Sequence, residues 1–336
     1  MDILAIRRAA LTILLGSVLF AQGAFAQSMP DPAFEAETLD GDVAIGYGLQ
    51  IGDVDGDGDE DILLADKNEI VWYRNGDWQR FVMAADLTER DNVCITARDL
   101  NGDGQVEVAV GANWNPGDTS DPEASGSVHY LIRPDDPTER WEPVTLPNEP
   151  TVHRMHWTKM AEDRYALVVL PIHGWANENA EGPGVRILAY VKPENPRQVW
   201  EKILIDERLN LTHNFHPRPL GNRDRLYIGG RQGAITAVPE NGMWQRQSAE
   251  WMEGIGEEEG IGEIRYGTLG DTEFITTIEP FHGNTVNVYV GGENGRHHEL
   301  TDAFNQGHAL AAADVLGLGR DQVVAGWRDA NDAGNV

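Results

Sequence analysis

The chain has 336 residues, of which 41% are hydrophobic, enough to bury either one large β domain or two ordinary domains. Its formal net charge of −29 argues against a nucleic-acid partner, because the phosphates would be repelled. A single cysteine, Cys94, excludes an internal disulfide, and we expect it to be a small buried strand residue rather than a catalytic thiol.

The N-terminus has the order of a secretory signal. Two arginines precede an apolar run over residues 9–20, and an Ala-Phe-Ala triplet ends at Ala26. The apolar run is too short to span a bilayer, and no later segment is longer. We therefore expect a signal peptide over residues 1–26 and a mature protein over residues 27–336 that is secreted or periplasmic and has no membrane span.

An acidic loop follows the first predicted strand. Residues 53–61 carry carboxylates at relative positions 1, 3, 5 and 9, with glycines between them that let the backbone fold around a cation. Hard oxygen ligands at this density suit Ca²⁺, although a solvated acidic loop is the alternative. The loop is not an EF-hand, because it lacks the Glu at position twelve and its flanks predict strands. The predicted calcium ligands are Asp53, Asp55, Asp57 and Asp61.

The same spacing recurs at residues 99–107, where the four positions again carry oxygen donors. We predict a second calcium site there, with the ligands Asp99, Asn101, Asp103 and Glu107.

When the segments around the acidic loops are aligned, a repeat of about 45 to 60 residues appears. Each unit contains short β-rich runs bounded by Gly, Asn or Asp, and four strands per unit is the pattern of a propeller blade. The first three units have predicted strands at 47–52, 62–65, 70–73 and 78–82, at 93–98, 108–111, 127–132 and 141–144, and at 152–157, 166–171, 185–190 and 199–204. The later units have predicted strands at 211–216 and 225–230, at 260–264, 274–278 and 285–290, and at 307–314 and 322–327.

The third and sixth units depart from the pattern of the acidic loop. The turn at residues 159–164 has lost the acidic ladder and is expected to be metal-free, and the sixth loop keeps Asp314 but has Leu316 and Leu318 in place of carboxylates. The sequence stops at the onset of the third strand of its sixth unit. We therefore expect an all-β propeller with six recognisable blades, truncated at its C-terminus, and about seven blades in the intact protein. Alternatively, the run at residues 34–39 closes the gap.

Several of these motifs resemble known families. The Asp-x-Asp-x-Asp-Gly loops resemble the FG-GAP or VCBS repeats of secreted β-propellers. The PIHG motif at residues 171–174, the PFHG motif at 280–283 and the segment 307–328 resemble the propeller part of aldos-2-ulose dehydratase-like proteins. The resemblance covers most of the mature chain and implies a sugar-directed function. Polysaccharide lyases that act on uronic acid polymers share the propeller by analogy of fold only.

Strand order places a candidate site. Because the acidic loop joins the first strand to the second, the start of strand one and the end of strand two lie together on the opposite face. His153, His213 and His308 stand near strand-one starts, and His173 and His282 stand at strand-two ends, so we expect all five at one mouth of the central channel. Comparable positions in their blades hold Tyr47, Trp114, Arg231, Trp327 and Arg328.

This set of side chains suits β-elimination next to a carbonyl or carboxylate. Histidine or tyrosine would transfer protons, arginine would bind an anionic or enolate oxygen, and tryptophan would stack on a sugar. Three of the histidines could instead hold Zn²⁺, or the side chains could only hydrogen-bond across the channel. The pairs 153/156 and 213/216 do not form a metalloprotease motif, because strand residues three apart point to opposite faces. We expect only the first of each pair to face the channel.

Two hypotheses follow. In the first, the protein is an exported carbon–oxygen lyase, a dehydratase or polysaccharide lyase with a sugar or polysaccharide as substrate. In the second, it is a calcium-stabilised module without enzymatic activity that binds a glycan or a protein.

Overall fold

The computed structural model describes residues 32–247, 250–257, 259–292 and 295–329. The predicted signal peptide lies outside the described residues. The chain divides into two units, and the described part of the first, residues 32–37, contains no helix or strand. The second unit begins at Thr38 and contains all the described strands.

Five sheets of four strands and one sheet of two strands follow one another along the described chain. Blade 1 consists of β1 (Gly48–Gly52), β2 (Asp61–Ala65), β3 (Glu69–Tyr73) and β4 (Arg80–Ala85). Blade 2 consists of β5 (Cys94–Arg98), β6 (Glu107–Ala112), β7 (Ser127–Ile132) and β8 (Glu142–Leu146). Blade 3 consists of β9 (Val152–Ala161), β10 (Arg164–Pro171), β11 (Ile187–Val191) and β12 (Glu201–Asp206).

Blade 4 consists of β13 (Thr212–Leu220), β14 (Arg223–Gly230), β15 (Gly233–Glu240) and β16 (Met243–Gln247). A short 3₁₀ helix (Glu250–Met252) leads to blade 5, which consists of β17 (Glu263–Leu269), β18 (Thr272–Glu279), β19 (Thr285–Val290) and β20 (Arg296–Thr301). Blade 6 contains β21 (Gly307–Ala313) and β22 (Gln322–Trp327). Within the described residues, no helix is long enough and apolar enough to cross a membrane.

The blades are arranged around a central channel. Each strand pairs antiparallel with the next strand of its blade, and the first strand of each blade packs against the first strand of the following blade. Residues of all six first strands line one cavity of about 410 Å³. This arrangement confirms the predicted β-propeller of four-stranded blades.

The core lies between the blades. One buried cluster joins blades 1 and 2 through Trp72 and Val108, another joins blades 2 and 3 through Tyr130 and Trp157, and a third joins blades 3 and 4. The strand faces therefore pack against neighbouring blades, and burial of each large apolar side chain contributes roughly 1.5–3 kcal/mol. Because the faces are used in this way, the innermost strand turns its edge towards the channel.

Three strands, β15, β16 and β20, were not predicted. Pro239 lies inside β15 and weakens its strand pattern. The turn between β15 and β16 nevertheless carries a usable signal, since Asn241 and Gly242 have φ values of 52° and 79°, the left-handed pair of a tight hairpin. Cys94 is buried in β5, as expected. Residues 34–39 form no strand.

Candidate active site at the channel mouth

Three histidines from three blades converge at one end of the channel. His213 is the second residue of β13, His282 follows β18, and His308 is the second residue of β21. One nitrogen from each ring lies within 4.8 Å of the others. The Nε2 atoms of His213 and His282 are 2.7 Å apart, and the ring centroid of His308 lies 4.7 Å from that of His282. We call these three residues the histidine cluster.

A close backbone approach holds this cluster together. A Cβ atom at Gly262 would lie 1.5 Å from the carbonyl oxygen of Phe281, so only glycine lets the start of β17 pass the turn that carries His282. The carbonyl oxygen of Gly262 also accepts a hydrogen bond from Nδ1 of His213 at 3.0 Å. The local backbone therefore fixes two members of the cluster at once.

A buried carboxylate stands behind His213. The Oε1 atom of Glu263 lies 3.2 Å from Nδ1 of His213, and its Oε2 atom accepts a hydrogen bond from Asn214 at 2.6 Å and lies 3.3 Å from Arg265. Burial alone would raise the pKa of Glu263, but the adjacent Nδ1–H group of His213 and the charges of Arg265 and Arg154 lower it to about 2. Glu263 is therefore ionised at neutral pH. It was not among the site residues selected from the sequence.

The three imidazoles are uncharged at neutral pH. Burial is the main cause that lowers the pKa of His282 to about 4 and that of His308 to about 3. Burial also lowers the pKa of His213. Because Nδ1 of His213 donates towards Gly262 and Glu263, its Nε2 lone pair faces the cluster. Neutral imidazoles with available lone pairs can accept a proton or bind a metal.

His153 extends this site towards blade 2. Its Nδ1 atom donates to the carbonyl oxygen of His213 at 2.9 Å, and its ring lies 4.6 Å from the ring of His213. The ring centroid of Trp114 lies 5.1 Å from that of His153. Burial and the neighbouring charges of Arg154 and His213 hold the pKa of His153 well below its usual range. Trp114 and His153 thus pack together beside the histidine cluster.

Arg154 was not selected from the sequence. Its guanidinium donates to the carbonyl oxygen of His153 at 2.9 Å and lies 3.1 Å from Nε2 of that residue. No carboxylate of a described residue lies within the 4.0 Å of an ion pair with Arg154. Burial lowers the pKa of Arg154, and Glu263 opposes this effect. The structure thus places a partly desolvated cation beside the cluster.

A cavity of about 360 Å³ opens at the mouth, and we call it the mouth cavity. Its lining includes Tyr47, Arg154, His308, Trp327 and Arg328, and no carboxylate is among the described lining residues. Arg154, His308 and Tyr47 also line the central cavity, so the two spaces adjoin. The ring of Trp327 stacks on Phe304 with centroids 4.2 Å apart, which fixes its orientation. The structure therefore brings four sequence-selected residues (Tyr47, His308, Trp327 and Arg328) into one space.

Two sequence-selected residues lie elsewhere. His173 lines a separate groove with the loop of residues 116–120, and Arg231 is exposed and lies outside the residues that line either cavity. His156 does line the central cavity, so the expectation that only the first histidine of the 153/156 pair would face the channel is wrong. The reason is that β9 turns its edge to the channel, and side chains from both of its faces lean inward.

The acidic loops lie at the other end of the blades. In blade 1, Gly48 pairs with Ala65 near the mouth, whereas Gly52 pairs with Asp61 at the loop. Carboxylate oxygens of Asp53, Asp55 and Asp61 lie within 4.8 Å of one another. Since such proximity is repulsive without a cation, these residues fit a Ca²⁺ ion. Asp57 accepts a hydrogen bond from the amide of Asp59 at 2.9 Å.

The second loop folds in the same way but is more fully paired. Asp99 accepts hydrogen bonds from the amides of Gly102 and Gly104 at 2.7 and 3.0 Å, as Asp53 does from Gly56 and Gly58 at 2.6 and 2.9 Å. Its remaining oxygens already have partners: Asn101 donates to Asp103 and Glu107, and Arg133 pairs with Asp103 at 2.7 Å. The first loop therefore has the stronger geometric case for calcium.

Comparisons with known proteins agree with this architecture. Residues 125–292 match the aldos-2-ulose dehydratase β-propeller domain, and residues 53–110 match the FG-GAP-like repeat. The chain is 27% identical over 242 residues to aldos-2-ulose dehydratase of Phanerodontia chrysosporium, an alignment that covers 61% of this chain. It spans 26% of the length of that relative. The first match covers half of the sequence, and the chain therefore belongs to the aldos-2-ulose dehydratase β-propeller family.

Proposed function

We propose that the protein is an exported carbohydrate dehydratase that removes water from a keto sugar by β-elimination at the mouth cavity. The observation that carries this proposal is the histidine cluster, which shares His308 with a cavity that also presents Arg154 and Tyr47. Membership of a family named for a sugar dehydratase supports the same substrate class.

The histidine cluster fits a transition metal. Three uncharged imidazoles offer nitrogens within 4.8 Å of one another, and Glu263 supports His213 from behind. Nδ1 of His308 has no hydrogen-bond partner among the described residues. Zn²⁺ held there by His213, His282 and His308 would supply a Lewis acid that polarises the carbonyl group of the sugar.

The other side chains have roles that follow from their positions. Arg154, without a carboxylate partner in the described chain, stabilises the enolate oxygen that forms when the proton next to the carbonyl is removed. Trp327 offers an aromatic face to the sugar ring, and Arg328 a second donor. Tyr47 and His153, which are not among the three zinc ligands, exchange the proton: one group takes it from carbon, a C=C bond forms as the β C–O bond breaks, and the departing hydroxide receives a proton to give water.

The acidic loops complete the proposal as structural calcium sites, with Asp53, Asp55, Asp57 and Asp61 in the first and Asp99, Asn101, Asp103 and Glu107 in the second. They lie at the end of the blades away from the mouth cavity, so calcium would stabilise the propeller without contacting the sugar. The predicted N-terminal signal sequence supports export.

The decisive experiment measures the unsaturated ketone product by its ultraviolet absorbance, with 2-keto sugars as substrates and with Zn²⁺ and Ca²⁺ present. We expect His282→Ala and His308→Ala to lower kcat by about 10² or more, Arg154→Met and Tyr47→Phe to lower it by a similar order, and Arg231→Met to leave it unchanged. His173→Ala should also retain turnover, because His173 lies outside the cluster. If the wild-type protein binds these sugars but forms no product, the dehydratase proposal fails and the binding-module hypothesis replaces it.

A further inference from the structure

We infer that the protein has a second sugar-binding subsite in the groove beside the mouth, and that its substrate is therefore an oligosaccharide rather than a single sugar. The inference rests on the proposed function for the first subsite. The groove is lined by residues that do not line the mouth cavity.

The groove lies between two loops on the same face as the histidine cluster. One loop follows β6 and the other follows β10, so both join the second strand of a blade to its third. The groove has a volume of about 590 Å³ and is lined by Asp118 and Ser120 on one side, by Asn177, Glu178 and Asn179 on the other, and by His173. This volume falls within the roughly 300–1,000 Å³ of small-molecule sites.

The groove is held in shape by hydrogen bonds. The amide of Ala176 donates to the carbonyl oxygen of Thr119 at 2.9 Å and joins the two loops. Asn177 is fully buried, and its side-chain amide donates to the carbonyl oxygens of Pro183 and Asn210 at 2.9 and 3.0 Å. A groove anchored on both sides is available to a ligand without a large rearrangement.

The second loop also contains backbone strain. Ala176, Asn179 and Ala180 have φ values of 54°, 55° and 63°, in a region that residues with a side chain seldom adopt. Three such residues within five positions concentrate the strain in one wall of the groove. Strain of this kind is retained where the surrounding structure fixes a binding conformation.

The chemistry of the groove suits a sugar. Its side chains carry hydroxyl, amide and carboxylate groups, which pair with the alternating donors and acceptors of sugar hydroxyls. Trp175 does not line the groove itself but lies in the same loop, between the lining residues His173 and Asn177. Its surface is 44% exposed, so a large aromatic face is available beside the groove for the apolar face of a pyranose ring. His173 lines the groove, and its imidazole makes no hydrogen bond among the described residues.

The groove adjoins the mouth. His173 forms a β-bridge with Leu211, and His213 lies two residues further along the chain, a distance of about 6.6 Å in an extended strand. On the other side, Trp114 packs against His153 at the mouth and precedes the loop of residues 116–120. A chain of sugars with its reacting unit at the histidine cluster can therefore place a neighbouring unit in the groove.

The test uses 2-keto derivatives of glucose and of α-1,4- and β-1,4-linked oligosaccharides of two to four units, with the ultraviolet-absorbing product as readout. For the wild type, kcat/KM should rise about tenfold with chain length, through a lower KM. Trp175→Ala removes the aromatic face and Ser120→Leu fills the groove. Both variants should abolish this rise while turning over the single sugar within about twofold of the wild type. Val199→Ala, at a residue 94% exposed and outside the groove lining, is the matched control.

The outcomes separate the two proposals. A kcat/KM that does not change with chain length in the wild type, or variants that slow all lengths equally, would overturn the subsite and leave the dehydratase proposal standing. If no keto sugar reacts, the dehydratase proposal has failed, and the groove is tested by calorimetric titration of the unmodified oligosaccharides. The subsite then holds if Trp175→Ala and Ser120→Leu weaken binding, and it is overturned if no oligosaccharide binds or if the variants bind like the wild type.

Discussion

Among single side chains, Glu263 decides how His213 faces its neighbours. Its buried charge attracts the Nδ1 proton of His213 and leaves Nε2 for the cluster. Arg265 and Asn214 hold the carboxylate in place. In the proposed zinc site, Glu263 would therefore orient His213 rather than contact the sugar.

Replacing Glu263 by Gln should therefore weaken zinc binding. The neutral amide no longer supports the imidazole electrostatically, and loss of such a partner costs about 10- to 100-fold in metal affinity. Competition titration with a chromophoric chelator measures the effect. Glu279→Gln is the matched control, because Glu279 is also buried in blade 5 but bonds to Tyr289 and Thr277. Equal zinc affinity in the Glu263 variant and the wild type would contradict the assigned role.

Asp66 stabilises the segment that leads to the mouth. Its carboxylate accepts hydrogen bonds from the amides of residues 44–46 at distances of 2.7 to 3.1 Å, directly before Tyr47. Burial tends to raise the pKa of Asp66, but these backbone hydrogen bonds outweigh it and lower the pKa below 3.8. The stability that Asp66 contributes is therefore complete above the unfolded pKa and is lost as the pH falls through the lower, folded value.

Asp66→Asn should accordingly lower the free energy of unfolding at pH 7 by about 1–3 kcal/mol. It should also flatten the fall in stability on acidification below about pH 4. Urea unfolding between pH 7 and pH 2.5 checks both effects, with the exposed Asp271→Asn as control. A variant whose stability changes with pH as steeply as that of the wild type would show that Asp66 does not contribute in this way.

For single side chains, the sequence predicted which residues lie at the channel mouth better than it predicted their electrostatic partners. His213, His282, His308 and Tyr47 could be placed at one end of the channel, because strand order alone fixes which ends meet. Arg154 and Glu263 could not be selected in this way. Their importance depends on which buried charged groups have an oppositely charged neighbour in the folded protein. The one available signal for Arg154 is its position directly after His153 at a strand start.

Among the elements, the passage of β17 past the turn after β18 is the tightest constraint on the site. Gly262 has a φ value outside the left-handed region, so only the close approach to Phe281 requires glycine there. The requirement is thus steric.

Gly262→Ala should displace the turn that carries His282 and destabilise the fold by about 3 kcal/mol or more. Both unfolding in urea and zinc affinity should show the loss, since the cluster and the packing depend on the same contact. Gly41→Ala is the control, because a Cβ atom there meets nothing within 4 Å. Wild-type stability and zinc affinity in the Gly262 variant would refute this reading of the contact.

Strands were predictable where alternation and turn residues agreed, as in β5 and β7. They were missed where a proline interrupted the run, as in β15, or where nearly all residues were polar, as in β20. The alternation rule also failed for His156, because it describes the two faces of a strand and the channel is lined by an edge. The groove between residues 116–120 and 173–179 could not be predicted, since it depends on how two long loops meet.

For the whole molecule, the acidic loops predict that stability depends on calcium. Removing Ca²⁺ with EGTA should lower the Tm by several degrees, because a ligand at 100 times its Kd contributes about 2.7 kcal/mol. Asp53→Asn should abolish most of this shift, whereas Asp314→Asn, in the sixth loop, should not. Calorimetry with re-addition of Ca²⁺ or Mg²⁺ identifies the ion. A Tm that EGTA leaves unchanged would mean that these loops are only solvated acidic turns.

The propeller itself was predictable, because a repeated loop reveals a repeated blade. The repeat could not specify which side chains line the channel, since His213 and His282 are 69 residues apart and meet only after two neighbouring blades have assembled.

That assembly has a consequence for how such a protein can change over evolutionary time. Each blade delivers the start of its first strand to the same opening, while the packing between blades depends on other residues. A single codon change in one blade can therefore exchange one member of the site and leave the scaffold intact. Binding preference and chemistry can diversify independently of folding, one blade at a time.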